Sequence, residues 1–413
     1  MRKEALVAGA LALGLIGLSG CGGSSSPTTA DGKTAMTWAM WVGGTEDQNG
    51  WQKVADEVSA KLGDVKITLQ GSTFQDYFTK MSTQLSSNTA PCLVAVQSLR
   101  TAQLKDGMLP LDDLVKKDGM DLGAFDQSMI KGLSADGKLY ALPYDVGPLM
   151  MFYNKDKFAA AGVAEPTAGW TADDFVAAAK KITASSGKPA FATSIGDLNI
   201  ESQVLAYNGG RVTQEDASID ASNSAFATGL QWVADLIGKE KVAPQLPGSD
   251  GSFASNQFLS GNTAMSIDGP WSLIDTKSKA KFKVGVTTLP AGPGGGKTFS
   301  AGSGWGISKQ CPTPDKAFAA LKEMTGDKVL SELGAAGRAL PARTADQKVW
   351  IDNAGIPGVQ EALKAAETTA VPMPSNTNSD QLGTLFSQYL PKALNGQQSA
   401  ASVMKDIAAQ LPH

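Results

Sequence analysis

Histidine is all but missing from this chain. Among 413 residues the only one is His413, the last. That argues against a Ser-His or Cys-His nucleophilic pair and against a His-rich metal site, since each needs an imidazole beside the reacting atom or the ion. No G-x-S-x-G occurs. Charged residues make up 18%, with a formal net charge of −4 and no basic cluster, so nucleic acid is not an expected partner. After the first twenty residues no apolar run is long enough to cross a bilayer. No cofactor motif survives inspection. Ala291–Thr298 has phosphate-loop spacing with Ala for the first Gly, but Phe299–Ser308 is Gly-rich and strand-like. A phosphate loop needs a helix there, so 291–298 reads as a surface loop. The Asp and Glu residues leave paired hydrolytic carboxylates as the one enzymatic option, because their separations are not legible in sequence.

What is present begins with an export pattern. Arg2 and Lys3 precede an apolar stretch, Ala5–Leu18, that ends in Leu18-Ser19-Gly20-Cys21. Small residues before a Cys form a bacterial lipobox. Residues 1–20 therefore read as a signal peptide and Cys21 as the lipidated first residue of the mature chain. Gly22–Lys33 (GGSSSPTTADGK) reads as a flexible polar tether, so that 21–33 holds the body at the extracytoplasmic face of the cell membrane. Without residues 1–20, which carry Arg2, Lys3 and Glu4, the net charge is −5. Cys92 and Cys311 are then left in an oxidising compartment, either as one disulfide or as two buried thiols. Cys92 opens an expected strand and Cys311 ends another that returns to the same lobe, which favours the bond.

The remaining ~390 residues are enough for two sizeable cores. Thr37–Val42, Lys66–Leu69 and Cys92–Val96 read as strands. The stripes Trp51, Val54, Ala55, Val58, Leu62 and Phe74, Tyr77, Phe78, Met81, Leu85 fall at helical spacing between them. This βαβαβ order predicts a parallel-rich sheet whose ligands sit beyond the strands' carboxyl ends. Leu149–Tyr153 is a long extended apolar run and reads as a crossing into a second, helix-rich lobe. Thr171 and Asp174 form a capping box there. Residues 283–288 and Gly304–Ser308 are strands, the latter returning to lobe one. The tail is helical near 357–368, 379–394 and 399–410.

The richest stretch is Phe258–Trp271, FLSGNTAMSIDGPW. A short strand stops at Asp268, and Gly269-Pro270 is expected to turn the chain and present Trp271. An indole face with a carboxylate acceptor beside it suits a sugar, whose C–H side stacks and whose hydroxyls donate. A core Trp beside an ordinary turn accounts for the same residues.

NTAMSIDGPW, with VGVTTLP (284–290), SGWGIS (303–308) and LYALPYDVGPLMMFYNKDKF (139–158), resembles the carbohydrate-binding proteins of bacterial ABC importers, the maltose-binding-protein-like family 1 of extracellular solute-binding proteins. The resemblance runs from about Trp38 to the C-terminus. It implies an α/β, two-lobed periplasmic-binding-protein-like fold of type II, with a hinge and a ligand cleft. The expected division is 34–145 plus 301–345 for lobe 1 and 146–300 plus 346–413 for lobe 2. The implied function is capture of a mono- or oligosaccharide by hinge closure and delivery to permease subunits, by a lipid-anchored monomer with no cofactor. A binding protein for a non-sugar solute, or a secreted glycan-active enzyme, is the alternative.

Candidate contacts follow from the loops. Trp41, Thr45 and Glu46 follow the first strand, and Gln97, Ser98 and Arg100 the third. Asp145 lies polar in an apolar run at the crossing, where an unpaired carboxylate is costly away from a cleft. Asn199 lies in the loop GDLN. Asp268, Trp271, Trp305 on the return strand and Arg343 after Leu340-Pro341 complete the set. Trp41, Trp271 and Trp305 are the expected stacking faces. The loops at Gln97–Arg100 and Asn199 depart from the maltose-binding pattern and imply a different saccharide.

Overall fold

The computed structural model describes residues 28–411. The signal peptide, Cys21 and His413 lie outside them. Two sheets organise the chain. In the first, Val65–Ser72, Thr34–Trp41, Leu93–Gln97 and Thr298–Ile307 lie side by side. Ala370–Pro372 and Ala141–Pro148 also pair with Thr298–Ile307. The three N-terminal strands are parallel to one another, and Thr298–Ile307 runs antiparallel to Leu93–Gln97. In the second sheet the order is Val284–Thr287, Met150–Asn154, Met265–Asp268, Phe191–Ala192.

The first sheet reaches further than the expected borders. Residues 146–148, 298–300 and 370–372, expected in lobe 2, pair within it. The chain passes between sheets at Leu149 and at 288–297, and 373–378 leads from the first sheet to the helix Ser379–Leu394 that packs in the second core. Thr28 pairs with Thr34, and Thr29 bonds Lys33, so the end of the expected tether is folded onto the first lobe.

The helical stripes bury as their spacing requires. Trp51, Val54, Ala55 and Val58 of Thr45–Leu62 enter the first core. Phe226, Leu230, Val233 and Ile237 of Ser224–Gly238 enter the second. The Thr171–Asp174 capping box opens Ala172–Ser186. The helix Phe74–Ser86 delivers Tyr77 to the gap where the first and third strands diverge. Its hydroxyl lies 3.0 Å from the Ala95 carbonyl and accepts from the Ala95 N–H at 2.9 Å. Cys92 and Cys311 form a disulfide with Cα atoms 4.5 Å apart, tying the start of the third strand to the turn after Thr298–Ile307.

That long strand explains the Gly-rich sequence AGSGWGIS. Its ten residues are all buried. Gly302, Gly304 and Gly306 alternate on one face and let the 108–133 segment pack close. A Cβ on Gly304 would sit 2.6 Å from Leu133 Cδ1 and from the Leu142 carbonyl oxygen. Trp305 points to the other face. It stacks on Tyr144 (4.4 Å, 12°) and meets Trp38 and Trp51 edge-on. With 0% exposure it is a core residue, and its expected stacking role in the cleft is withdrawn.

Candidate functional site

The carboxyl ends of Thr34–Trp41, Val65–Ser72 and Leu93–Gln97 share one edge of the first sheet. In the second, Phe191–Ala192 and Met265–Asp268 are parallel, the latter running two residues further, with Asp268 paired to Met150 just past the crossing at Leu149. The Gln97 end of the first sheet and the Asp268 end of the second therefore both lie near the crossing. Ser303 lies level with Gln97 on one side and Asp145 on the other, which brings those two side by side across three strands.

On the first wall, Trp41 is half-buried and packs edge-on against Phe74 (5.6 Å) and Tyr77 (5.2 Å). Phe74 is 43% exposed, the one exposed large hydrophobic among the described residues. In sequence it reads only as the first member of a helical stripe. The stripe is real, but the first turn of Phe74–Ser86 follows directly on the sheet edge and leaves its aromatic uncovered. Thr45 and Glu46 are exposed at the start of Thr45–Leu62. Asp47 next to them pairs with Arg338, whose guanidinium lies 5.7 Å from the Trp51 ring and also holds the Glu46 carbonyl.

On the second wall, the expected turn after Asp268 is instead a helix start. Gly269 is the N-cap and Pro270 the first residue of Pro270–Lys279, where a missing N–H costs nothing. Trp271 is therefore a first-turn residue, half-buried, with its ring across Gly147 of the crossing strand. A Cβ on Gly147 would lie 3.0 Å from the Trp271 ring and 2.7 Å from Pro270. Asp268 is half-buried and accepts the Gly269 N–H at 2.7 Å. Burial raises its pKa, opposed by bonds from Gly269, Ser272 and Trp271. Asn199 belongs to the first turn of Asp197–Asn208 rather than to a loop. It is half-buried beyond the end of Phe191–Ala192.

Other candidates are committed elsewhere. Ser98 is 1% exposed, and its hydroxyl accepts the Gly302 N–H, so it fastens the sheet and does not face the cleft. Arg343 pairs with Asp327 and Asp346 and lies over Phe125, a surface clasp within the first lobe. Arg100 lies over Phe78 at 4.2 Å, bonds Gln97 and pairs with Asp380. Asp145 is 8% exposed between Thr298–Ile307 and the segment 340–342, and accepts the Ser303 N–H at 2.5 Å. Burial lifts its pKa to about 7, against the pull of Ser303.

Two sheets joined by crossing strands, with strand ends and an aromatic of each lobe near the crossing, suit a solute-binding protein. The chain belongs to the bacterial extracellular solute-binding protein family, whose model matches residues 43–330. It is 26% identical, over 98% of its length and 95% of the relative's, to a maltooligosaccharide ABC transporter solute-binding lipoprotein of Streptococcus pneumoniae. It is 26% identical, over 74% of its length and 71% of the relative's, to an arabinooligosaccharide-binding protein of Bacillus subtilis. Among solved structures, an ABC substrate-binding protein of Listeria monocytogenes in complex with cycloalternan superposes with a TM-score of 0.81 at 24% identity, covering 91% of this chain and 97% of that one. The maltose-bound MalE3 of T. maritima superposes at 0.77 and 20% identity, covering 91% and 98%.

Proposed function

We propose that this chain is the capture component of a carbohydrate ABC importer, held outside the bacterial membrane by a lipid on Cys21, and that it binds without catalysing. The observations that support the sugar reading are Trp271 with Asp268 at the end of a second-sheet strand and Trp41 with the exposed Phe74 at the carboxyl edge of the first sheet. Aromatic faces cover the C–H side of a pyranose, and Asp268 and Glu46 take its hydroxyl protons. Gln97 and Asn199 add neutral hydrogen bonds. The open form binds sugar on one wall, and closure brings the other wall onto it. Closure is driven only by contacts the sugar gains in the closed form, which the permease then engages.

Calorimetry with maltotriose, an arabino-oligosaccharide, lactose, diacetylchitobiose and putrescine tests this. Saturable binding of one saccharide, weakened in Trp271→Ala, supports the reading. Binding of the amine alone would move the protein to another solute class. Release of shortened sugars by the purified protein would make it an enzyme. Membrane fractionation tests the anchor: Cys21→Ala should pass into the medium, and a mutant that stays bound refutes it.

A further inference from the structure

Arg100 and Gln103 follow Leu93–Gln97 of the first sheet. Asp380 lies in the first turn of Ser379–Leu394, whose Leu382, Leu385, Phe386 and Leu390 pack in the second sheet's core. The two lobes meet at this carboxylate. Its Oδ1 is 3.1 Å from Arg100 Nε, and its Oδ2 accepts from Gln103 Nε2 at 2.8 Å. The crossing segment is pinned beside it. Ser375 Oγ accepts the Ala102 N–H at 2.9 Å and donates to the Leu99 carbonyl at 3.1 Å. Beneath lie Leu99, Leu205, Phe299, Ala301 and Met373, a small buried cluster drawn from both lobes and the strands between them.

We propose that Arg100, Gln103 and Asp380 form a lobe-to-lobe clasp that sets the hinge angle of the protein before any ligand arrives. Both arms are pre-set. Phe78 and Gln97 hold the guanidinium in place, so little side-chain entropy is lost on pairing. The positive end of the 16-residue helix favours the Asp380 charge. Contacts of about 3 Å do not survive a relative displacement of more than about 1 Å, so the clasp stabilises this lobe arrangement over any rotated one. Arg100 also sits 6.0 Å from the exposed Phe74 ring, which places the clasp against the aromatic edge of the candidate site. Arg100 is thus a positioning residue, and its charge is spent on Asp380 rather than on a solute.

The test is made with no solute present, so it stands apart from the carbohydrate reading. Spin labels at Ala60→Cys and Ala177→Cys, both exposed and one in each lobe, report the interlobe distance in the full chain carrying Cys21→Ser. Asp380→Ala and Arg100→Ala should each displace or broaden the distance distribution. The shift expected of a half-exposed pair is roughly three- to tenfold in the lobe equilibrium. The double variant should go no further than either single one. Distributions that superimpose on the parent overturn the clasp. So does a lowered melting temperature without displacement, which would leave Asp380 as a helix-end charge only. Additive displacements in the double variant also overturn it, because they would mean the two residues act apart.

Discussion

Replacing Asp145 by Asn tests whether a buried carboxylate limits the stability of the interlobe strand. Asp145 has 8% exposure, and its pKa rises from 3.8 to about 7 because burial disfavours the charged form more than Ser303 stabilises it. The folded state therefore holds the proton more tightly than the unfolded one. This contribution is fully present below about pH 3.8 and is lost as pH rises through about 7. A shift of roughly three units corresponds to about 4 kcal/mol at the upper end, since one unit is about 1.4 kcal/mol. Asn keeps an acceptor for the Ser303 N–H and never ionises. Urea unfolding from pH 5 to 8.5 should show the parent losing stability relative to Asp145→Asn, by about 2–4 kcal/mol across the window. Glu367, lifted to about 7 by burial and by Asp126, titrates in both proteins and cancels in the difference. Parallel pH profiles would refute the reasoning, because they would mean that water or a cation reaches the carboxylate.

Trp271→Ala should remove about 100 Å² of apolar contact with a bound sugar, on the order of 2.5 kcal/mol or close to a hundredfold in affinity by calorimetry. Normal binding would move the stacking face to Trp41 and Phe74. Gly304→Ala pushes a Cβ against Leu133 and the Leu142 carbonyl. A loss of about 1–3 kcal/mol in chemical unfolding is expected, and an unchanged midpoint would mean the Met108–Leu133 segment yields freely. Reducing Cys92–Cys311, which spans 219 residues, should lower stability by up to about 5 kcal/mol. Two titratable thiols in unfolded, unreduced protein would show that the bond is not made in solution.

Local chemistry was legible because it is written in spacing. The capping box at Thr171, the stripe Phe226–Ile237 and the short strand run expected over Thr263–Ile267 each depend on neighbours within one or two turns. The family likeness, too, rests on contiguous motifs. Reading Gly269-Pro270 as a turn failed because the same pair suits an N-cap and first helical residue, and only the following residues' packing decides. Trp305 proves buried and Phe74 exposed for one reason. A strand's alternation gives two faces but not which layer covers each, and a helical stripe gives a core face but not where the sheet beneath it ends.

By itself, then, the sequence determined the strongly periodic strands and helices, their order and the scarcity of histidine, all properties of short stretches or of composition. The tertiary structure alone decided which charges were already taken. Arg100 and Asp380 are 280 residues apart in sequence, Asp145 and Ser303 are 158 apart, and Arg338 and Asp47 are 291 apart. A side chain's availability to a ligand depends on partners that only the folded chain brings within a few ångströms.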